Sequence, residues 1–214
     1  MDKTKQGNQD TQTSLLAPTW MDANVPDDFT LVAAGDLVID DVLYPRLKRQ
    51  SPELIELLQR ADVTFGNFES TAIDLNKFGG WPEAESGGSW LVSSPRVPQD
   101  LRDMGFNLIG RANNHTTDWG VRGMRYTNEL LEQAGIVHAG TGETLAEARA
   151  PQFLSVPAGR VSLVSIASRF EAMSRAADPL GRIPGRPGVN ALRTTPSQRS
   201  SSTAGCWSCA ARPR

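Results

Sequence analysis

Cysteine and histidine are scarce: the 214 residues contain two of each. Both cysteines, Cys206 and Cys209, stand near the carboxyl terminus, so no disulfide framework ties the chain together. They have redox spacing, but no strand pattern precedes them and no helical pattern follows, which argues against a thioredoxin-like or zinc-binding reading. No apolar run reaches the length of a membrane span. The opening MDKTKQGNQDTQTS leads only into Leu15-Leu16-Ala17, too short for a secretory core, so the chain as read defaults to the cytoplasm. Basic runs are missing outside the carboxyl-terminal end, and a net charge of -2 gives no reason to expect nucleic acid as a partner.

What is present is a regular alternation of strand-like and helix-like segments, with 39% hydrophobic residues to build a core. Phe29 to Ala34 is a compact apolar run stopped by Gly35-Asp36 and predicts a buried parallel strand. Ser51-Pro52-Glu53 predicts a helix start, with Leu54, Leu57 and Leu58 on one face. Val63-Thr64-Phe65 predicts a second strand that ends in Gly66-Asn67-Phe68-Glu69. Residues 76–89 read as a long loop. A helix from Pro98 to Met104 closed by Gly105, a strand from Phe106 to Ile109 and a helix from Trp119 to Ala134 follow. Ile136-Val137-His138 predicts a short strand, Thr144 caps a brief helix, and residues 152–156 and 160–166 predict a hairpin. The order is that of an α/β fold.

The ends differ from this middle. Residues 1–27 are a polar, flexible lead-in, and 28–190 form the folded, partial domain. After Ile166 proline and glycine are too dense for a helix or strand interior. Residues 191–214 have neither period nor core-forming residues and read as a disordered tail or, preferably, as the out-of-frame reading of a coding sequence.

Three polar clusters fall at the carboxyl ends of three successive predicted strands: Gly35-Asp36, Asn67 with Glu69, and Asn114-His115. In a parallel sheet these ends lie on one edge, where residues distant in sequence converge. Carboxylate, amide oxygen and imidazole are ligands for divalent metals such as Mn, Fe or Zn. Two adjacent ions would clamp an anionic or carbonyl substrate and supply a hydroxide. Asp36, Asn67, Glu69, Asn114 and His115 are therefore the candidate metal ligands, with His115 and Asn114 as the candidate catalytic residues. Of Asn67 and Glu69, one is expected to face the pocket and the other to brace the turn. Asn113 and Asp118 are placed behind the ligands, although Asp at position 118 also suits a helix cap. Asp40 and Asp41 read as solvated, His138 as structural, and Trp81, Trp90 and Trp119 as packing residues or a substrate groove.

The ordered motifs resemble the CapA family of capsule-synthesis proteins, also called poly-gamma-glutamate synthesis proteins, whose domain is similar to calcineurin-like metallophosphoesterases. The resemblance covers about residues 28 to 170. It rests on Gly35-Asp36, Ala61-Asp62 leading into Gly66-Asn67-Phe68-Glu69, Ala112-Asn113-Asn114-His115 with Asp118-Trp119-Gly120, and Gly140-Thr141-Gly142 with Glu147-Ala148. It implies a sandwich of helix-flanked sheets, a divalent-metal hydrolase or phosphoesterase site, and a polyglutamate or other cell-envelope polymer or precursor as partner. Family members continue with His-Trp-Gly and Gly-His-His-Pro-His type segments, whereas this chain has only His115 and His138. The expected site is thus incomplete, and the alternative is a noncatalytic fragment or a binding or assembly module.

Overall fold

The computed structural model describes residues 26–84 and 88–194. The lead-in up to residue 25, Cys206-Cys209 and the tail from 195 lie outside the described residues.

Apolar residues of alternating exposure begin the fold as β1, Leu31–Leu37, followed by α1, Tyr44–Gln50, and α2, Pro52–Arg60. Next come β2, Val63–Phe68, the two-residue β3, Thr71–Ala72, α3, Leu75–Phe78, and β4, Val92–Ser93. Then follow α4, Val97–Met104, β5, Leu108–Gly110, α5, Gly120–Gln133, and β6, Val137–Ala139. The chain continues through β7, Thr141–Gly142, α6, Leu145–Ala148, and the hairpin of β8, Gln152–Val156, and β9, Gly159–Leu163. The last strand is β10, Gly188–Val189, antiparallel to β7.

Four strands form one parallel sheet in the order β1-β2-β5-β6. Sequential order with crossovers of one hand places the crossover helices α1, α2, α4 and α5 on the same face. The core agrees: Ile55 and Leu58 of α2, Leu101 and Met104 of α4, and Leu131 of α5 pack with Leu37, Phe68 and Ile109 of the sheet. Gly105 ends α4 at φ 113°, and a Cβ there would stand 2.6 Å from Leu58 O, so only glycine lets α4 turn so close to α2.

On β1, Val32 and Ala34 meet this core, whereas Leu31 points the other way and is 55% exposed. The strand expected to be buried is therefore an edge strand with one uncovered side. Val164 and Ile166, beyond β9, are also half exposed, at 51% and 53%.

Other local readings shift for physical reasons. Of the three leucines expected on one face of α2, Leu58 is buried, but Leu54 and Leu57 are exposed and Ile55 takes their place in the core. The helical line toward the core runs through Ile55 because Tyr44 and Leu47 of α1 join the same cluster. Residues 76–89, read as a loop, begin with α3, whose first turn is capped by the Asp74 carboxylate accepting from Asn76 N. Trp119 stacks edge-on against Phe78 at 6.1 Å, a packing role, while Trp81 and Trp90 are exposed.

The glycine- and proline-rich stretch after Ile166 closes back on the domain without long elements. Ala167, Val189 and Ala191 form a small buried cluster with Ala112. Asn190 N donates to Gly140 O at 2.8 Å and Leu192 N to Ala167 O at 2.8 Å, so ordered pairing continues past residue 190.

Candidate functional site

Register brings the strand ends together. Asp36 stands opposite Asn67 across β1 and β2, and Asn67 opposite Gly110 across β2 and β5. The pairing steps from Ala33↔Phe65 to Asp36↔Asn67, so β1 carries one extra residue before its end. That bulge puts Asp36, rather than Gly35, beside Asn67.

A chain of amides ties the three ends. Asn67 Nδ2 donates to Asp36 Oδ1 at 2.8 Å, and Asn113 Nδ2 donates to Asn67 Oδ1 at 3.0 Å and to Phe68 O at 3.0 Å. Asn113 Oδ1 accepts from His115 N at 3.1 Å, a turn in which an Asn side chain bonds the backbone two residues on. Thr116 Oγ1 stands 2.8 Å from the same oxygen and 2.6 Å from Arg111 O. Both ends of the Asn67 amide are therefore engaged, toward Asp36 and toward Asn113. Asn113 stands behind the rim as expected, and Asn114 lies half-buried within the same turn.

Burial first, then the charge of Asp36, push the Glu69 carboxyl above its ordinary value, and His115 and Asp118 also act on it. His115 Nδ1 lies 2.7 Å from Asp118 Oδ2, which also accepts from Leu91 N at 2.8 Å. Burial raises the Asp118 carboxyl, and the bonds from His115 and Leu91 and the charge of Arg111 oppose that rise. Asp118 is therefore not the cap of α5. A fully buried carboxylate is better satisfied by an imidazole and by an amide from a distant strand connection than by the helix end next to it. With Nδ1 committed to Asp118, chemistry at His115 falls to Nε2.

The remaining expected groups lie apart from this rim. His138 Nε2 is 3.4 Å from Glu132 Oε1, and burial and then Arg111 lower its imidazole below the ordinary value. Asp41, read as solvated, makes an exposed ion pair with Arg96 at 2.8 Å. A groove of about 780 Å³ between α5 and β6 to β8 includes Asn128, Glu129, Glu132 and His138 in its lining, but none of the strand-end residues. Sequence reasoning missed the role of Arg111, whose signal was a cation placed directly after a buried apolar run.

The donors suit a divalent cation in kind: carboxylates, amides and one imidazole at a single rim. They fall short in number. Among the described residues no group of three or more His, Cys, Asp or Glu side chains is gathered closely enough to hold a metal ion. Among the same residues no helix is long and apolar enough to cross a membrane.

A family model described as bacterial capsule synthesis protein PGA_cap matches residues 30–204, a span that includes every candidate site residue. The chain belongs to this family. It is 52% identical over 170 residues to the uncharacterized protein y4sH of Sinorhizobium fredii (strain NBRC 101917 / NGR234), covering 79% of this chain and 37% of that protein. The y4uA protein of the same organism matches to the same extent. The capsule biosynthesis protein CapA of Bacillus anthracis is 23% identical over 172 residues, covering 74% of this chain and 41% of CapA. The chain therefore spans well under half the length of these PGA_cap relatives. The helix-flanked parallel sheet is the fold expected of the amino-terminal part of such a protein.

Proposed function

We propose that this chain serves the making or processing of an anionic capsule polymer, of the polyglutamate type, through a proton-handling and cation-binding site of the metallophosphoesterase kind. The observation that carries this reading is the 2.7 Å contact between His115 Nδ1 and buried Asp118, beside a rim that holds Asp36 and Glu69. Asp118 fixes the imidazole, so that Nε2 holds or gives a proton at the rim. Asp36, Glu69 and Asn114 are the oxygen donors that would face a divalent Mn, Fe or Zn, and Asn67 and Asn113 keep their spacing. Such an ion, when bound, supplies Lewis-acid polarisation of a phosphoryl or carbonyl oxygen.

The test is turnover and metal content measured together. Protein incubated with Mn or Zn should retain the ion after gel filtration and cleave a model phosphoester or polyglutamate. His115→Ala should lower the rate about 100-fold, read at a temperature where a cooperative transition shows the variant still folded, since it also takes a donor from buried Asp118. Protein that retains no transition metal and gains no activity would contradict the catalytic reading. The open metal geometry favours one second reading, a noncatalytic binding or assembly module. Retention of polyglutamate without cleavage, unaltered in His115→Ala, would support it.

A further inference from the structure

Arg111 leaves β5 at the centre of the strand-end turns and is 0% exposed. Its Nη1 donates to Phe68 O at 2.6 Å and Ser70 O at 2.9 Å, the carbonyls on either side of Glu69. The guanidinium carbon lies 5.4 Å from the centre of the Phe68 ring. Its own carbonyl faces the Thr116 hydroxyl at 2.6 Å, so one residue touches both the Glu69 turn and the His115 turn. Nε and Nη2 find no acceptor among the described residues, and Oδ1 of the neighbouring Asp118 finds no donor.

A buried cation of this kind does not follow from stability. Apolar side chains of similar volume often pack as well or better in such a place. Burial pulls the guanidinium down to about 9, which still leaves it charged at neutral pH, and Asp118 is the charge that opposes this fall. A planar fork can hold two carbonyls and still direct further N–H groups elsewhere, which a lysine ammonium on a flexible stem does less well.

We propose that Arg111 is a positioning residue: its guanidinium grips the turn carrying Glu69 while its backbone carbonyl meets the turn carrying His115 and Asp118, and the two turns so held keep the imidazole in the one orientation that faces Asp118. This rests on the role proposed above for His115.

The experiment reads the tautomer of His115. Because the sequence has two histidines, ¹⁵N-histidine spectra contain only two imidazoles to assign. At alkaline pH the unaltered protein is expected to show His115 in one form, with the proton on Nδ1. R111K should keep a cooperative thermal transition yet give a mixture of both tautomers, as should D118N. A single tautomer in R111K together with a mixture in D118N overturns the role of Arg111 and leaves the His115–Asp118 pairing standing. A mixture in the unaltered protein overturns the pairing itself, and the reading of the site with it. Should R111K fail to fold, the unaltered protein still decides. Guanidinium protons protected from exchange and showing cross-relaxation to Phe68 and Asp118 sustain the proposal, and rapid exchange with water overturns it.

Discussion

Asp118→Ala is expected to cost about 3 kcal/mol of stability, because two donors to a buried carboxylate lose their acceptor. The change leaves His115 Nδ1 and Leu91 N without their partner. Urea unfolding at neutral pH measures it, and a loss below about 1 kcal/mol would place the pair among weak surface contacts instead. The pH dependence gives an independent check. The folded carboxyl of Asp118 lies above its ordinary value because burial outweighs its hydrogen bonds. A raised folded pKa adds stability that is complete below the unfolded value and is lost as pH rises through the folded one. Asp118→Ala should therefore flatten that part of the stability profile. Glu69 is raised as well, by burial and then by the charge of Asp36, and retains its own slope in Asp118→Ala.

Phe68→Ala should cost about 4 kcal/mol, because it empties a fully buried position of the main core. Its effect extends past packing. Phe68 stands between Asn67 and Glu69, its carbonyl accepts from Arg111 and Asn113, and its ring lies against the guanidinium. The cavity should thus loosen the site along with the core. Chemical denaturation gives the first number, and the His115 tautomer gives the second. Phe68→Leu should show a smaller loss of stability and keep the single tautomer. A Phe68→Ala protein that loses stability but keeps its tautomer would show that core and site are uncoupled.

Much of the fold was legible because its signals are local. Apolar runs stopped by Gly35-Asp36 or leading to Gly66 mark parallel strands, and Gly105 and Gly135 stop helices with a left-handed turn. Thr144 caps α6 as its sequence context predicts, with Glu147 N donating to Thr144 Oγ1 at 3.2 Å. Helix α1 was not legible. Tyr44 follows no capping side chain of its own, and the cap comes instead from Asp100, whose Oδ2 accepts from Leu43 N at 2.7 Å and Tyr44 N at 3.2 Å. No local rule finds a cap on another helix.

The site divides the same way. That Asp36, Asn67, Glu69 and His115 would share one edge followed from strand order alone. How Asp36, Asn67 and Asn113 link to one another depended on register, which the bulge in β1 and the amide chain through Asn113 set. Asp118 was placed behind the ligands with a helix cap as the alternative, and its partners are an imidazole and the amide of Leu91. Arg111 acts through carbonyls contributed by a different strand end, which a linear reading does not place beside it.

The proposal that three strand ends converge on one rim able to take a cation is tested most directly by adding Mn²⁺ in small steps to ¹⁵N-labelled protein. Paramagnetic broadening should strike first the side-chain amides of Asn67, Asn113 and Asn114 and the imidazole of His115. Broadening that starts instead at Asn128 and His138, in the groove with Glu129 and Glu132, or that reaches all exposed carboxylates alike, would contradict the account.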